Sequence, residues 1–187
     1  IGPFPRRNDP ISIYPKLSTL PNSTSYSEIA NLLDQIKFAV YMPSQDLLPS
    51  CKHKYEDKNG NLTTGGRELG ICQLMAANLL KRLESSVSSF RLTLRRVFSI
   101  MNECLNTIEV FKAEHLRGSA SATQLDLSDF GSDFDLDYED EAFFDFSVGG
   151  KVQYDLRDID WKSWGEKIRK DAQIIESILN LISSIDA

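Results

Sequence analysis

The chain has 187 residues, 41% of them hydrophobic and 26% charged, with a formal net charge of −6. That suits one globular domain with a sizeable core rather than two independent ones. No uninterrupted apolar run is long enough to cross a bilayer, and the negative balance, with no aromatic residues interleaved among the basic ones, argues against nucleic acid as a partner.

Residues 1–24 hold five of the seven prolines, Pro3, Pro5, Pro10, Pro15 and Pro21, a density that forbids regular helix. This stretch reads as an extended arm that Ile11, Ile13 and Leu17 could dock, with Arg6-Arg7 as surface charge or a dibasic processing site. The first residue is Ile1, as in a mature form after signal removal and equally as in a shortened chain. Asn22-Ser-Thr near the end of the arm matches the glycosylation acceptor pattern.

A single helical domain is expected over residues 25–187. Ser25 or Ser27 caps a first helix reaching about Met42, with Ile29, Leu32, Leu33, Ile36, Val40 and Tyr41 on its buried face and Pro43 as its stop. Residues 44–66 then read as a long loop, with turn chemistry at Asn59-Gly60 and Gly65-Gly66. Lys52, His53, Lys54 and Lys58 make it basic, and it carries Cys51 and a second acceptor triplet at Asn61. A loop of this length is usually tethered or functional. His53 and His115 have no partner at ligand spacing and are assigned to the surface, and no Cys/His cluster suggests a metal.

The organising stretch runs from Arg67 to Arg117. Ala76, Leu80, Leu83, Val87, Phe90, Leu94, Val97, Met101, Cys104, Ile108 and Phe111 recur at an average of about 3.5 residues, which lays one apolar seam along a helix. Unbroken, such a helix would reach roughly 75 Å. A bend is expected between Glu84 and Ser89, where Ser85, Ser86, Ser88 and Ser89 offer the backbone competing hydrogen bonds. On the outer face Arg91 and Arg95, four residues apart, make a basic ridge that could hold a small anion.

Three cysteines, Cys51, Cys72 and Cys104, allow one disulfide and one buried thiol. A continuous helix would separate Cys72 from Cys104 by about 48 Å. Cys51 to Cys72 is therefore the expected bridge, and with the acceptor triplets at Asn22 and Asn61 it points to a secreted glycoprotein. Three reduced thiols in a cytosolic protein is the alternative.

Residues 124–150 hold nine acids and no Lys or Arg, interleaved with Phe130, Phe134, Tyr138, Phe143, Phe144 and Phe146. Like charges at this density oppose compaction, while the aromatics provide contact area for a partner. The expected docking strip centres on Phe134, Asp135, Asp137, Tyr138, Glu139 and Asp140, in an acidic aromatic loop spanning 124–147. Tyr138 among its acids would also suit sulfation. An EF-hand reading fails, because Tyr138 stands where that loop needs glycine and Phe144 where it needs its last carboxylate.

Phe143–Val148 and Lys151–Leu156 alternate about Gly149-Gly150 and read as a β-hairpin. A three-residue connection that pairs Phe146 with Val152 and Phe144 with Tyr154 keeps the apolar residues on one face. The last helix is expected over Asp160–Ile185, capped by Asp158 or Asp160, with Trp161, Trp164, Ile168, Ala172, Ile175, Ile178, Ile182 and Ile185 covering the central seam.

The fold class is thus mainly α: a helical bundle around one long, continuous or bent, central helix, with a small β-hairpin before the C-terminal helix. If three rods leave part of the seam bare, a second copy of the chain would cover it, making a homodimer. No nucleophile elbow, phosphate loop, metal spacing or dinucleotide fingerprint is seen, and no cofactor or catalytic residue is assigned. The leading functional expectation is a secreted interaction protein, a ligand, effector or toxin-like factor, that binds a protein with a basic surface. An all-helical enzyme on a small anionic substrate, with Arg91, Arg95 and Glu103 lining a pocket, is one alternative. A membrane-active protein using the last helix is the other.

Overall fold

The computed structural model describes residues 25–56, 63–118, 124–125 and 153–183. Among them are four α-helices, which we label α1 (Tyr26–Leu33), α2 (Thr64–Ser85), α3 (Val87–Leu116) and α4 (Trp161–Ser183), and one antiparallel strand pair, β1 (Gln124–Leu125) with β2 (Tyr154–Asp155). The mainly α architecture is as the periodicity predicts. The Pro-rich arm at 1–24 lies outside the described residues.

Helix α1 opens as expected, the Ser25 hydroxyl accepting the Glu28 N–H at 3.2 Å. It stops well short of Met42. Asp171 on α4 accepts the N–H groups of Lys37 at 2.9 Å and Ala39 at 2.8 Å, donors that a continuing helix would have given to its own carbonyls. Phe38 adopts a left-handed conformation (φ 53°), and Ala39–Tyr41 form one 3₁₀ turn. This wedge touches α2, α3 and α4, and the apolar residues assigned to the missing helix turns, Ile36, Val40 and Tyr41, are buried all the same.

The central stretch is a bent pair. Ser86 is extended (φ −160°, ψ 117°), inside the serine cluster, and its hydroxyl caps α3 by accepting the Ser89 N–H. Phe90, Leu94, Val97, Met101, Cys104, Ile108 and Phe111 on α3 are all at most 1% exposed. In α2 the buried stripe is Cys72, Met75, Leu79 and Leu83, whereas Ala76 and Leu80 are only half-buried. One extended residue resets the rotation of the helix, so a single seam does not carry through the break. Thr63 caps α2 through the Gly66 N–H at 3.2 Å, which draws Gly65 and Gly66 out of the expected loop and into the first turn.

Helix α4 begins at Trp161, with Asp160 accepting the Ser163 N–H at 3.2 Å. Its stripe of Trp164, Ile168, Ala172, Ile175, Ile178 and Ile182 is buried, chiefly against α3, at about 1.5–3 kcal/mol for each large side chain. Ile185 lies outside the described residues.

The strand before α4 is present, but Tyr154 pairs with Leu125, from the other side of the acidic stretch. Its expected partner Phe144 and the Gly149-Gly150 turn lie outside the described residues.

The cysteines are three free thiols, which corrects the expected Cys51–Cys72 bridge. Cys72 is buried and its thiol faces the Phe38 carbonyl at 3.8 Å, while the Cys51 thiol lies 3.6 Å from the Ser50 hydroxyl. The two sulfurs are committed to different partners. The bend also removes the premise that Cys72 and Cys104 are far apart, since both thiols lie near enough to the buried Tyr41 hydroxyl to disfavour its ionisation, after burial itself.

Candidate functional site

A buried polar cluster forms where β2, the turns at 43–55 and the first turns of α2 meet. Tyr154 is 2% exposed and donates its hydroxyl to Oε1 of Glu68 at 2.6 Å. Glu68, in the second turn of α2, is 8% exposed. Its Oε2 accepts a short hydrogen bond from the Ser44 hydroxyl and a longer one, 3.3 Å, from the Ser44 N–H.

Contacts around this group steady it. The Tyr154 ring stacks on Tyr55 with centroids 5.0 Å apart. Tyr55 in turn donates its hydroxyl to Asp158 at 2.8 Å and accepts the Asp155 N–H at 3.1 Å. Lys54 holds both oxygens of Asp158, at 3.0 and 2.9 Å, and Thr64 donates its hydroxyl to the Tyr55 carbonyl at 2.8 Å. Three elements distant in sequence are thereby locked together.

Electrostatically the two carboxylates differ. Burial pushes Glu68 above the usual carboxylate range, although bonds from Ser44 and Tyr154 pull the other way. At Asp158 burial also pushes upward, but bonds from Lys54, Cys51 and Tyr55 outweigh it and leave the carboxyl below its ordinary value. Beside them opens a cleft of about 540 Å³, lined by Ser44, Gln45, Leu47, Lys52, Tyr55, Glu56, Thr63, Thr64 and Gly65.

Of the sites read from sequence, Phe134, Asp135, Asp137, Tyr138, Glu139 and Asp140 lie outside the described residues, as do Asn22 and Asn61. Arg91 donates to the Ile182 carbonyl at 2.8 Å, and Arg95 is exposed. Arg96, the next residue along α3, is buried at 5% exposure. Glu103 accepts the Ser99 hydroxyl at 3.0 Å on its own helix. His53 and His115 are exposed as expected, His115 stacking on Phe111.

Sequence reading missed Glu68, Ser44, Tyr55, Tyr154 and Asp158. The available signal was phase: Glu68 precedes Cys72, Met75 and Leu79 by helical steps, which places a carboxylate on the buried stripe of α2. Among the described residues no cluster of His, Cys, Asp and Glu suits a metal, and no helix is long and apolar enough to cross a membrane. Comparison of the chain with family models, with curated proteins and with solved structures gives no match.

Proposed function

We propose that the protein acts by binding a partner protein with a basic, partly apolar surface, through the acidic aromatic stretch that includes Phe134, Asp135, Asp137, Tyr138, Glu139 and Asp140. The observation that supports this reading most is the pairing of Leu125 with Tyr154 and of Gln124 with Asp155. It sets Leu125 and Tyr154, which bracket the acidic residues in sequence, side by side, with Tyr154 held by Glu68. Nine acids within one stretch attract a cationic surface at a distance, and the interleaved aromatics supply the apolar contact once it arrives.

An extracellular role as a ligand or effector, glycosylated at Asn22 and Asn61, belongs to the same proposal and rests on the acceptor triplets. The free thiols lend it no support. A membrane-active last helix is disfavoured, because Ile168, Ile175, Ile178 and Ile182 are fully buried inside the chain. The α3 seam is likewise covered by α4 and α2, so a second copy is not needed to cover it.

The test is calorimetric titration of defined cationic peptides, with and without aromatic residues, into the intact chain and into a variant with Asp133, Asp135, Asp137, Glu139, Asp140 and Glu141 changed to amides. The intact chain should bind the basic aromatic peptides more tightly, lose them as salt rises, and the amide variant should lose most of the affinity. Equal affinity for both versions would remove the proposal.

A further inference from the structure

We infer that Ser44 is a nucleophile and Glu68 its general base, in a cleft that takes a small carboxylic ester. Ser44, Glu68 and Tyr154 carry this inference, and the docking role proposed for the acidic stretch does not enter it.

Ser44 lines the cleft, and its hydroxyl donates to a carboxylate that is itself buried. Tyr154 grips the other oxygen of that carboxylate at 2.6 Å, so Glu68 cannot swing away from Ser44. A nucleophile, a base within hydrogen-bond reach and a third group orienting the base is the arrangement that activates hydroxyls for acyl transfer. Tyr154 is a positioning residue, held by its stack on Tyr55. Burial raises the basicity of Glu68, which favours proton uptake from Ser44, and the hydrogen bonds from Ser44 and Tyr154 moderate it.

Thr64 and Gly65, in the first turn of α2, also line the cleft. The first helical backbone bond there runs from the Arg67 N–H to the Thr63 carbonyl, so the amides of Thr64 and Gly65 come before the intrahelical ladder begins. These are the donors assigned to the oxyanion that forms when a hydroxyl adds to a carbonyl. A Cβ on Gly65 would stand 3.3 Å from the Ser44 oxygen, tight enough to crowd the space an ester must enter. Leu47 and Tyr55 give the cleft apolar surface for a short acyl or aryl group.

In the step, the Ser44 oxygen bonds to the ester carbonyl carbon and its proton passes to Glu68. The carbon–oxygen bond to the alcohol breaks, and Glu68 returns the proton to the departing oxygen. Water then attacks the acyl-serine, gives a proton to Glu68, and Ser44 leaves with that proton restored. Atoms and electrons balance without any other reactant.

Glu68 also caps the 3₁₀ turn at Pro43–Asp46 through the Ser44 N–H, a role that would hold without any chemistry. The experiment separates the two. The full chain is treated with a fluorophosphonate, which a nucleophilic serine displaces at fluoride, and separately with p-nitrophenyl acetate and butyrate. The modified residue is found by peptide mass, and folding of every variant is checked by circular dichroism. We expect phosphonylation at Ser44, and a fall in turnover of about 100-fold or more for Ser44→Ala and for Glu68→Gln. Gly65→Ala should lose labelling while remaining folded. Tyr154→Phe should move the acidic limb of the kcat/KM profile to higher pH, because it removes a bond that lowers the pKa of Glu68. Folded wild-type chain inert to both reagents, label on another residue, or turnover that survives in Ser44→Ala would overturn the inference.

Discussion

Helices α3 and α4 meet chiefly through apolar side chains, with Arg91 to the Ile182 carbonyl and Arg169 to Glu109 as polar contacts beside them, whereas the segment from Lys37 to Leu47 is held by ions. Phe90, Leu94, Ile168 and Ile175 represent the first region, each fully buried. In the second, Asp171 takes the backbone of Lys37 and Ala39, Glu68 takes Ser44, and Asp46 takes Lys167 at 2.7 Å and Ser163 at 3.0 Å. Apolar contact is non-directional and fixes which faces meet, but it does not dictate a backbone conformation. A chain that leaves helical geometry inside a core must find acceptors for its N–H groups, and here helices α2 and α4 supply carboxylates for that purpose.

Trp164 belongs to both regions, and changing it should do the most damage. Its ring is fully buried, and its Nε1 donates to the Ala39 carbonyl at 2.7 Å. Trp164→Ala should lower stability by about 3–5 kcal/mol in urea unfolding. Trp164→Phe keeps most of the apolar volume and drops the hydrogen bond, so a cost of about 1–3 kcal/mol would measure the polar share. Equal costs for the two would mean that ring volume contributes little and the comparison is misdrawn.

Asp171→Asn tests the ionic region alone, with an expected cost of about 1–3 kcal/mol, since the amide NH₂ faces a backbone donor where an acceptor stood. The pH dependence should carry a definite sign. Burial raises the pKa of Asp171 above its unfolded value, against the pull of bonds from Lys37 and Ala39. The stability linked to it is therefore fully present below the unfolded pKa and is lost as pH rises through the folded one. The gap between wild type and Asp171→Asn should narrow from acidic to neutral pH. Asp155 is the control of opposite sign. Its pKa is lowered, chiefly by the bond from Arg157, so its stability is present above the unfolded pKa and lost as pH falls through the folded one. Its gap to Asp155→Asn should therefore narrow toward acid.

This contrast also explains what could be read in advance. The seam on α3, the stripe on α4, the cap at Ser25 and the break among the serines depend on spacing and local propensity, which sequence displays directly. The early end of α1 depends on Asp171, 132 residues from Ala39, and no window on the sequence contains both. The same holds for Glu68 and Tyr154, 86 residues apart. Cys51 and Cys72 were paired on the assumption of a straight rod, and the single extended residue Ser86 removes that assumption.

The smallest expected effect comes from α2, where one substitution should have opposite signs at two glycines. Gly70 lies in the helix interior with nothing within 4 Å of an added Cβ. Gly70→Ala should therefore stabilise by about 0.5–1 kcal/mol, through helix propensity and a less disordered unfolded chain. Gly65 is in the same helix, but its added Cβ would press on the Ser44 oxygen at 3.3 Å, and Glu68 holds that oxygen in place. Gly65→Ala should lower stability, because the ionic region resists the small shift that an apolar neighbour would absorb. Denaturant midpoints at unchanged slope measure both. A gain at Gly65 would show that Ser44 yields easily, and a loss at Gly70 would show that this face of α2 is occupied by something that needs the missing side chain.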